Sequence, residues 1–165
     1  MNEEYLIKKI SFWDIPKVVR MYEESSDELK RKFHNPPPLS SIGLPHQYLS
    51  TTFLKPLLMI RITSLVAKKG DEIVGYTYIN ERRYLKEDRK DFGIMVKEGY
   101  QGKGLGSKLM AEILKDQDDV WLTVLDDNES AIKLYEKHGF KFESMMVMRK
   151  MRFKTHPVHE KDRSK

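Results

Sequence analysis

The stretch Val96-Lys97-Glu98-Gly99-Tyr100-Gln101-Gly102-Lys103-Gly104-Leu105-Gly106-Ser107 joins two kinds of pattern. An apolar run, Phe92 to Val96, precedes the glycines, and Leu105, Leu109, Met110, Ile113 and Leu114 follow at helical spacing. The order reads as strand, glycine-rich turn and helix. Glycines at 102, 104 and 106 let the backbone approach a ligand without interference from a Cβ. A helix opening near Gly104 would aim unpaired N–H groups and the positive end of its dipole at that ligand. The turn is therefore a cradle for an anion, with pyrophosphate as the natural guest. Three spaced glycines alone are equally compatible with a turn that binds nothing.

Downstream, Asp116-Gln117-Asp118-Asp119 ends the helix and Val120 to Leu125 reads as a further strand. A second helix starts at Asp127 or Asn128 and runs through Ala131, Ile132, Leu134 and Tyr135 to His138-Gly139, where the glycine suits a left-handed C-terminal conformation. Asn128 and Tyr135, at i and i+7, share one face of it. Phe140-Lys141-Phe142 and Met145 to Met151 are expected to complete the sheet.

Upstream, Leu6 to Ile10 is a short strand, and Ser11 or Asp14 caps a helix with Ile15, Val18, Val19 and Tyr22 inward. Ser25 to Lys32 is a second short helix, with Leu29 and Phe33 inward, that ends at Asn35-Pro36-Pro37-Pro38. A loop over Pro36 to Gly43 and a helix over His46 to Leu58, placed to line a substrate entrance, are expected next. Leu65 to Lys69 and Ile73 to Asn80 form a hairpin about Gly70-Asp71-Glu72. Glu81 to Lys90 reads as a charged connector, and Asp91 to Val96 as the strand before the cradle.

A chain of 165 residues builds one ordinary core without staples, so residues 1–153 are expected to form a single domain and 154–165 a basic polar tail. With no cysteine, disulfides, thiolate zinc sites and a cysteine nucleophile are excluded. The five histidines show no metal-ligand spacing, and no metal site is expected. The acidic N-terminus and the lack of any long apolar run point to a cytoplasmic protein without a membrane span. A net charge of +5, concentrated after residue 148, gives weak footing for nucleic-acid binding, which is not expected.

Together, Gln101-Gly102-Lys103-Gly104-Leu105-Gly106 and Asn128-Glu129-Ser130-Ala131-Ile132-Lys133-Leu134-Tyr135-Glu136-Lys137-His138-Gly139-Phe140 resemble the two signatures of the GCN5-related N-acetyltransferases. These are the Q/R-x-x-G-x-G/A loop and N-x-x-A-x-x-L-Y-x-x-x-G-F. The resemblance implies an α/β (α+β) fold: a mixed, mostly antiparallel sheet flanked by helices, with a V-shaped opening for acetyl-CoA between the strands at Asp91 to Val96 and Val120 to Leu125. It implies transfer of acetyl directly to a primary amine. By the same resemblance, the backbone of Ile94, Met95 and Val96 pairs with pantetheine as an added strand. Amides of Gln101, Gly102, Lys103, Gly104, Leu105 and Gly106 hold the pyrophosphate, with Lys103 adding charge. Asn128 binds the pantetheine arm, and Tyr135 protonates the departing thiolate, whose thiol has a pKa of ~8.5.

An amine acceptor with a pKa of ~10.4 must lose a proton, at a cost of about 4.6 kcal/mol at pH 7 that a positioned base can offset. Some relatives place a glutamate where Thr123 stands here, and threonine cannot serve. The protein-lysine acetyltransferases place a carboxylate at the start of the pantetheine-binding strand, which matches Asp91, acting directly or through a water. Against this stands a surface-charge role in the run Glu87-Asp88-Arg89-Lys90-Asp91. The segment Glu24-Ser25-Ser26-Asp27-Glu28-Leu29 to Arg31-Lys32-Phe33-His34 resembles the S-x-E-x-L-x-x-R-F stretch of the same enzymes. That match tilts the expected acceptor toward a protein lysine, with a small polyamine, a peptide N-terminus or an amino-sugar still open, as is a homodimer. The competing expectation is a non-catalytic acyl-CoA-binding module.

Overall fold

Two runs rich in isoleucine, valine, threonine and tyrosine, Ile60–Lys69 (β2) and Glu72–Tyr84 (β3), turn back on each other at Gly70 and Asp71, where Gly70 takes φ +60°. Leu6–Lys9 (β1) and Glu87–Val96 (β4) flank this hairpin, antiparallel to it, and Val120–Trp121 (β5) adds to β4 in parallel. The computed structural model describes residues 4–33, 60–84 and 87–142. The expected loop at 36–43, helix at 46–58, strand at 145–151 and tail at 154–165 lie outside them.

The sheet has two apolar faces because side chains alternate along each strand. On one face Val66, Tyr76, Tyr78 and Met95 pack with Ile15, Val18 and Met21 of helix α1 (Ile15–Glu23) and with Phe33, just past helix α2 (Asp27–Lys32). On the other, Leu65, Ala67, Val74, Ile79 and Phe92 pack with Leu105, Leu109, Met110 and Ile113 of helix α3 (Leu105–Ile113). Helix α4 (Glu129–Lys137) brings Leu134 and Tyr135 to that second face and ends at Gly139, φ +87°, as its sequence foretells. Val74 escapes the alternation set by Tyr76 and Tyr78 because the β2–β3 register slips at Ala67/Lys68.

Three expectations need correction. Glu81 to Lys90 is not a connector: β3 runs on to Tyr84 and β4 begins at Glu87, with Glu81 opposite Lys90 and Arg83 opposite Asp88 in register. The backbone register shows a ladder there that the polar composition disguises. The strand over Val120 to Leu125 is paired only at Lys90↔Val120 and Asp91↔Trp121, since β4 leaves it beyond that point. Phe140 to Phe142 joins no ladder among the described residues. Phe140 instead packs its ring against Phe92 and Tyr135, with centroids 6.0 Å away in both cases.

Asp14 is the N-cap of α1 by position, though its side chain makes no cap hydrogen bond to that helix, and Ser11 opens the single turn before it. The Asp14 carboxylate accepts hydrogen bonds from the Ser11 N–H (3.0 Å) and Oγ (2.6 Å), pairs with Lys8, and lies 3.7 Å from Lys68 Nζ. Asp14 is 3% exposed. Burial pushes its pKa up, but the hydrogen bonds from Lys8 and Ser11 prevail and bring it from 3.8 down to about 2. A depressed carboxylate stabilises the fold above its unfolded pKa and loses that contribution as pH falls through the folded value. Asp14→Asn should therefore cost about 2 kcal/mol at pH 7, and the difference from wild type should shrink between pH 4 and pH 2 in urea titrations.

Candidate active site

Strand β4 outruns its parallel partner. From Phe92 onward, the β4 edge that faced β5 has no ladder partner among the described residues, and a cleft of about 430 Å³ opens there. One wall is β4 from Phe92 to Val96, the far wall carries Thr123, Asn128 and Tyr135, and the glycine turn closes one end.

The turn is shaped as a cradle. Gly102 and Gly104 hold φ +72° and +78°, and Gly104 is the N-cap of α3, its carbonyl accepting from Lys108 N–H at 3.1 Å. Helix geometry then leaves the N–H groups of Leu105, Gly106 and Ser107 without intrahelical acceptors, facing outward from the positive end of the dipole. The Gln101 side chain fastens the turn by donating from Nε2 to the Val96 carbonyl at 2.9 Å. At Gly106 a Cβ would lie 3.1 Å from Leu134 Cδ2, so glycine there also lets α3 and α4 close up.

Asn128 is buried at the N-terminus of α4, but its side chain does not cap the helix. Its backbone carbonyl accepts from Ala131 and Ile132, and Oδ1 accepts from Ser130 Oγ at 3.3 Å. Tyr135 leans edge-on against Phe92, with centroids 6.1 Å apart and planes at 87°. Burial, reinforced by the nearby Tyr78, pushes the Tyr135 phenol up to about 12. At neutral pH this phenol carries its proton.

Of the residues singled out from sequence, Ile94, Met95, Val96, Gln101, Gly102, Gly104, Gly106, Asn128 and Tyr135 meet on this cleft. Three do not line it. Leu105 is core, at 1% exposure. Lys103 is exposed and sits over the Tyr100 ring, 5.5 Å from its centroid. Asp91 stands at the last paired position of β4 and β5, the apex of the V. Sequence reasoning missed Phe33, Tyr78 and Lys32, which line the opposite side of the opening. The helix carrying Lys32 is tied to both arms. Ser26 bonds Glu98 beyond β4, and Arg31 bonds Asp127 ahead of α4 at 2.8 Å.

Residues 20–140 match the model of the Acetyltransferase (GNAT) family. The chain belongs to that family. It is similar to the L-amino acid N-acetyltransferase AaaT of Escherichia coli K12, at 32% identity over 137 residues that cover 76% of this chain and 83% of the relative. It also resembles the spermine/spermidine N(1)-acetyltransferase of Bacillus subtilis, at 29% identity over 45% of this chain and 55% of the relative. The fold matches yncA of Salmonella typhimurium, solved with its cofactor acetyl-CoA, with a TM-score of 0.65 and 16% identity over 85% of this chain and 81% of that one. The GNAT domain of S. lividans PAT gives 0.64 and 22% over 85% and 83%.

This GNAT chain is an N-acetyltransferase that uses acetyl-CoA. The enzymatic expectation stands over that of a binding module. The geometry suits the cosubstrate on its own evidence: two left-handed glycines and a helix N-terminus form the anion cradle, at the end of a cleft whose β4 edge is open to strand addition. Among the described residues no group of side chains could hold a metal ion, and no helix is long and apolar enough to cross a membrane.

Proposed function

We propose that this enzyme acetylates the primary amine of a small molecule, with Tyr135 as the proton donor to the leaving group. Acetyl-CoA, when bound, supplies the acetyl thioester. The amides of the 101–106 turn bind its diphosphate, Asn128 binds the pantetheine arm, and the backbone of Ile94 to Val96 orients that arm. The observation that carries this reading is that the glycine cradle and the Tyr135 phenol line one continuous cleft, from opposite ends of α3 and α4.

A small acceptor is favoured over a protein lysine by the relatives. One named for L-amino acids matches over most of both chains, and another is named for spermine and spermidine. A panel containing L-phenylalanine, spermidine and a lysine peptide, scored by free-thiol release from acetyl-CoA, tests the choice. Turnover confined to the peptide would defeat it.

Asp91 enters as a base acting through a water from the apex of the cleft. In support, Asn80 is its register partner on β3 and shares its face of the sheet. The Asn80 Oδ1 is buried and finds no hydrogen-bond partner among the described residues, an acceptor suited to hold such a water beside the carboxylate. Asp91→Asn should lower kcat/KM roughly 100-fold at neutral pH. An unaltered kcat/KM would return Asp91 to a surface-charge role.

A further inference from the structure

Position 93 interrupts the apolar half of β4, Phe92 to Val96, with glycine, which weakens a strand and needs a reason. Its φ is not left-handed, so backbone conformation does not demand it. Space does. A Cβ at 93 would fall 2.5 Å from Cε1 and 2.8 Å from the hydroxyl oxygen of Tyr78, the residue opposite it in the β3–β4 register. The Tyr78 ring therefore lies flat across bare backbone. It is held there by Phe33 edge-on (centroids 6.4 Å apart, planes at 89°) and by Tyr76 at 5.8 Å.

This placement brings a second phenol to the cleft from the other side of the sheet. Tyr135 belongs to the core face of α3 and α4, Tyr78 to the face of α1 and Phe33, yet both line the same opening. If Tyr135 attends the sulfur, the group arriving from the opposite face is the amine.

We propose that Tyr78 binds the acceptor: its hydroxyl oxygen, admitted to the cleft by the absence of a side chain at 93, accepts a hydrogen bond from the attacking amine. This rests on the acyl-transfer reading above and adds to it the residue that aims the nucleophile. The oxygen positions the amine and does not deprotonate it. As nitrogen bonds to the acetyl carbon it gains positive charge, and the hydrogen bond to the Tyr78 oxygen strengthens at that moment.

The test compares wild type with Tyr78→Phe, which keeps the ring and its packing, on the best amine among L-phenylalanine, spermidine and a lysine peptide. The acceptor KM should rise about tenfold, the scale of one lost hydrogen bond, while calorimetric affinity for acetyl-CoA stays the same. Gly93→Ala should raise the acceptor KM at least as much by displacing the ring, and adding Tyr78→Phe to it should do no further harm. An unchanged acceptor KM in Tyr78→Phe, or an acetyl-CoA affinity that falls in proportion, overturns this assignment alone. A wild-type protein that binds acetyl-CoA and acetylates none of the three amines overturns the small-amine reading, and this one with it.

Discussion

Tyr135→Phe should lower kcat about 100-fold and leave acetyl-CoA affinity where it was, the lower end of what a positioned acid contributes. The phenol, pushed up to about 12 by burial, is a weaker acid than a thiol of pKa ~8.5 in water. Full proton transfer ahead of bond cleavage would then be uphill. The same dry surroundings that raise the phenol also disfavour a thiolate, which narrows the gap as sulfur departs. Donation late in cleavage is the consequence, and a loss nearer 100-fold than 10,000-fold follows from it. Phenylalanine keeps the packing against Phe92 and Phe140, so thermal unfolding should shift little. Stopped-flow or steady-state rates with calorimetry on the same preparation separate the two effects. Unchanged turnover removes Tyr135 from the chemistry.

Gly104→Val should abolish tight acetyl-CoA binding, raising Kd at least 100-fold, while Lys103→Ala should change it less than threefold. At φ +78° a β-branched residue clashes with its own backbone, so the turn must refold and the N-terminus of α3 loses its aim. Two amide hydrogen bonds to a charged phosphate, at about 1.5–3 kcal/mol each, amount to a hundredfold or more. Lys103 is exposed, lies over Tyr100 and does not line the cleft, so its charge is screened by solvent. Were Lys103→Ala the more damaging of the two, charge and not backbone would be the source of affinity.

The parts of this site that sequence made legible are local. The glycine turn, the helix after it and the Asn128–Tyr135 face each depend on residues within a few turns of one another, where spacing and capping rules operate. What escaped depends on register between distant segments. Tyr78 matters because it stands opposite Gly93 across a hairpin, and a glycine in a strand, seen alone, says only that something comes close. The point where β4 and β5 part company, after the Asp91↔Trp121 pair, is likewise a matter of register. The charged hairpin end at 81–90 was misjudged for the same reason: its polarity suits a loop until the facing residues are known.

Among the described residues only two register pairs, Lys90↔Val120 and Asp91↔Trp121, couple β4 to the segment that leads into α4. The phenol proposed as donor is thus aligned with β4 less by a backbone ladder than by a plug of three rings, Phe92, Tyr135 and Phe140. Aromatic contacts tolerate small sliding that a ladder forbids. Thinning any ring of that plug would blunt the aim of the proton before it melted the protein, so mistimed chemistry, not unfolding, is the first symptom of damage there.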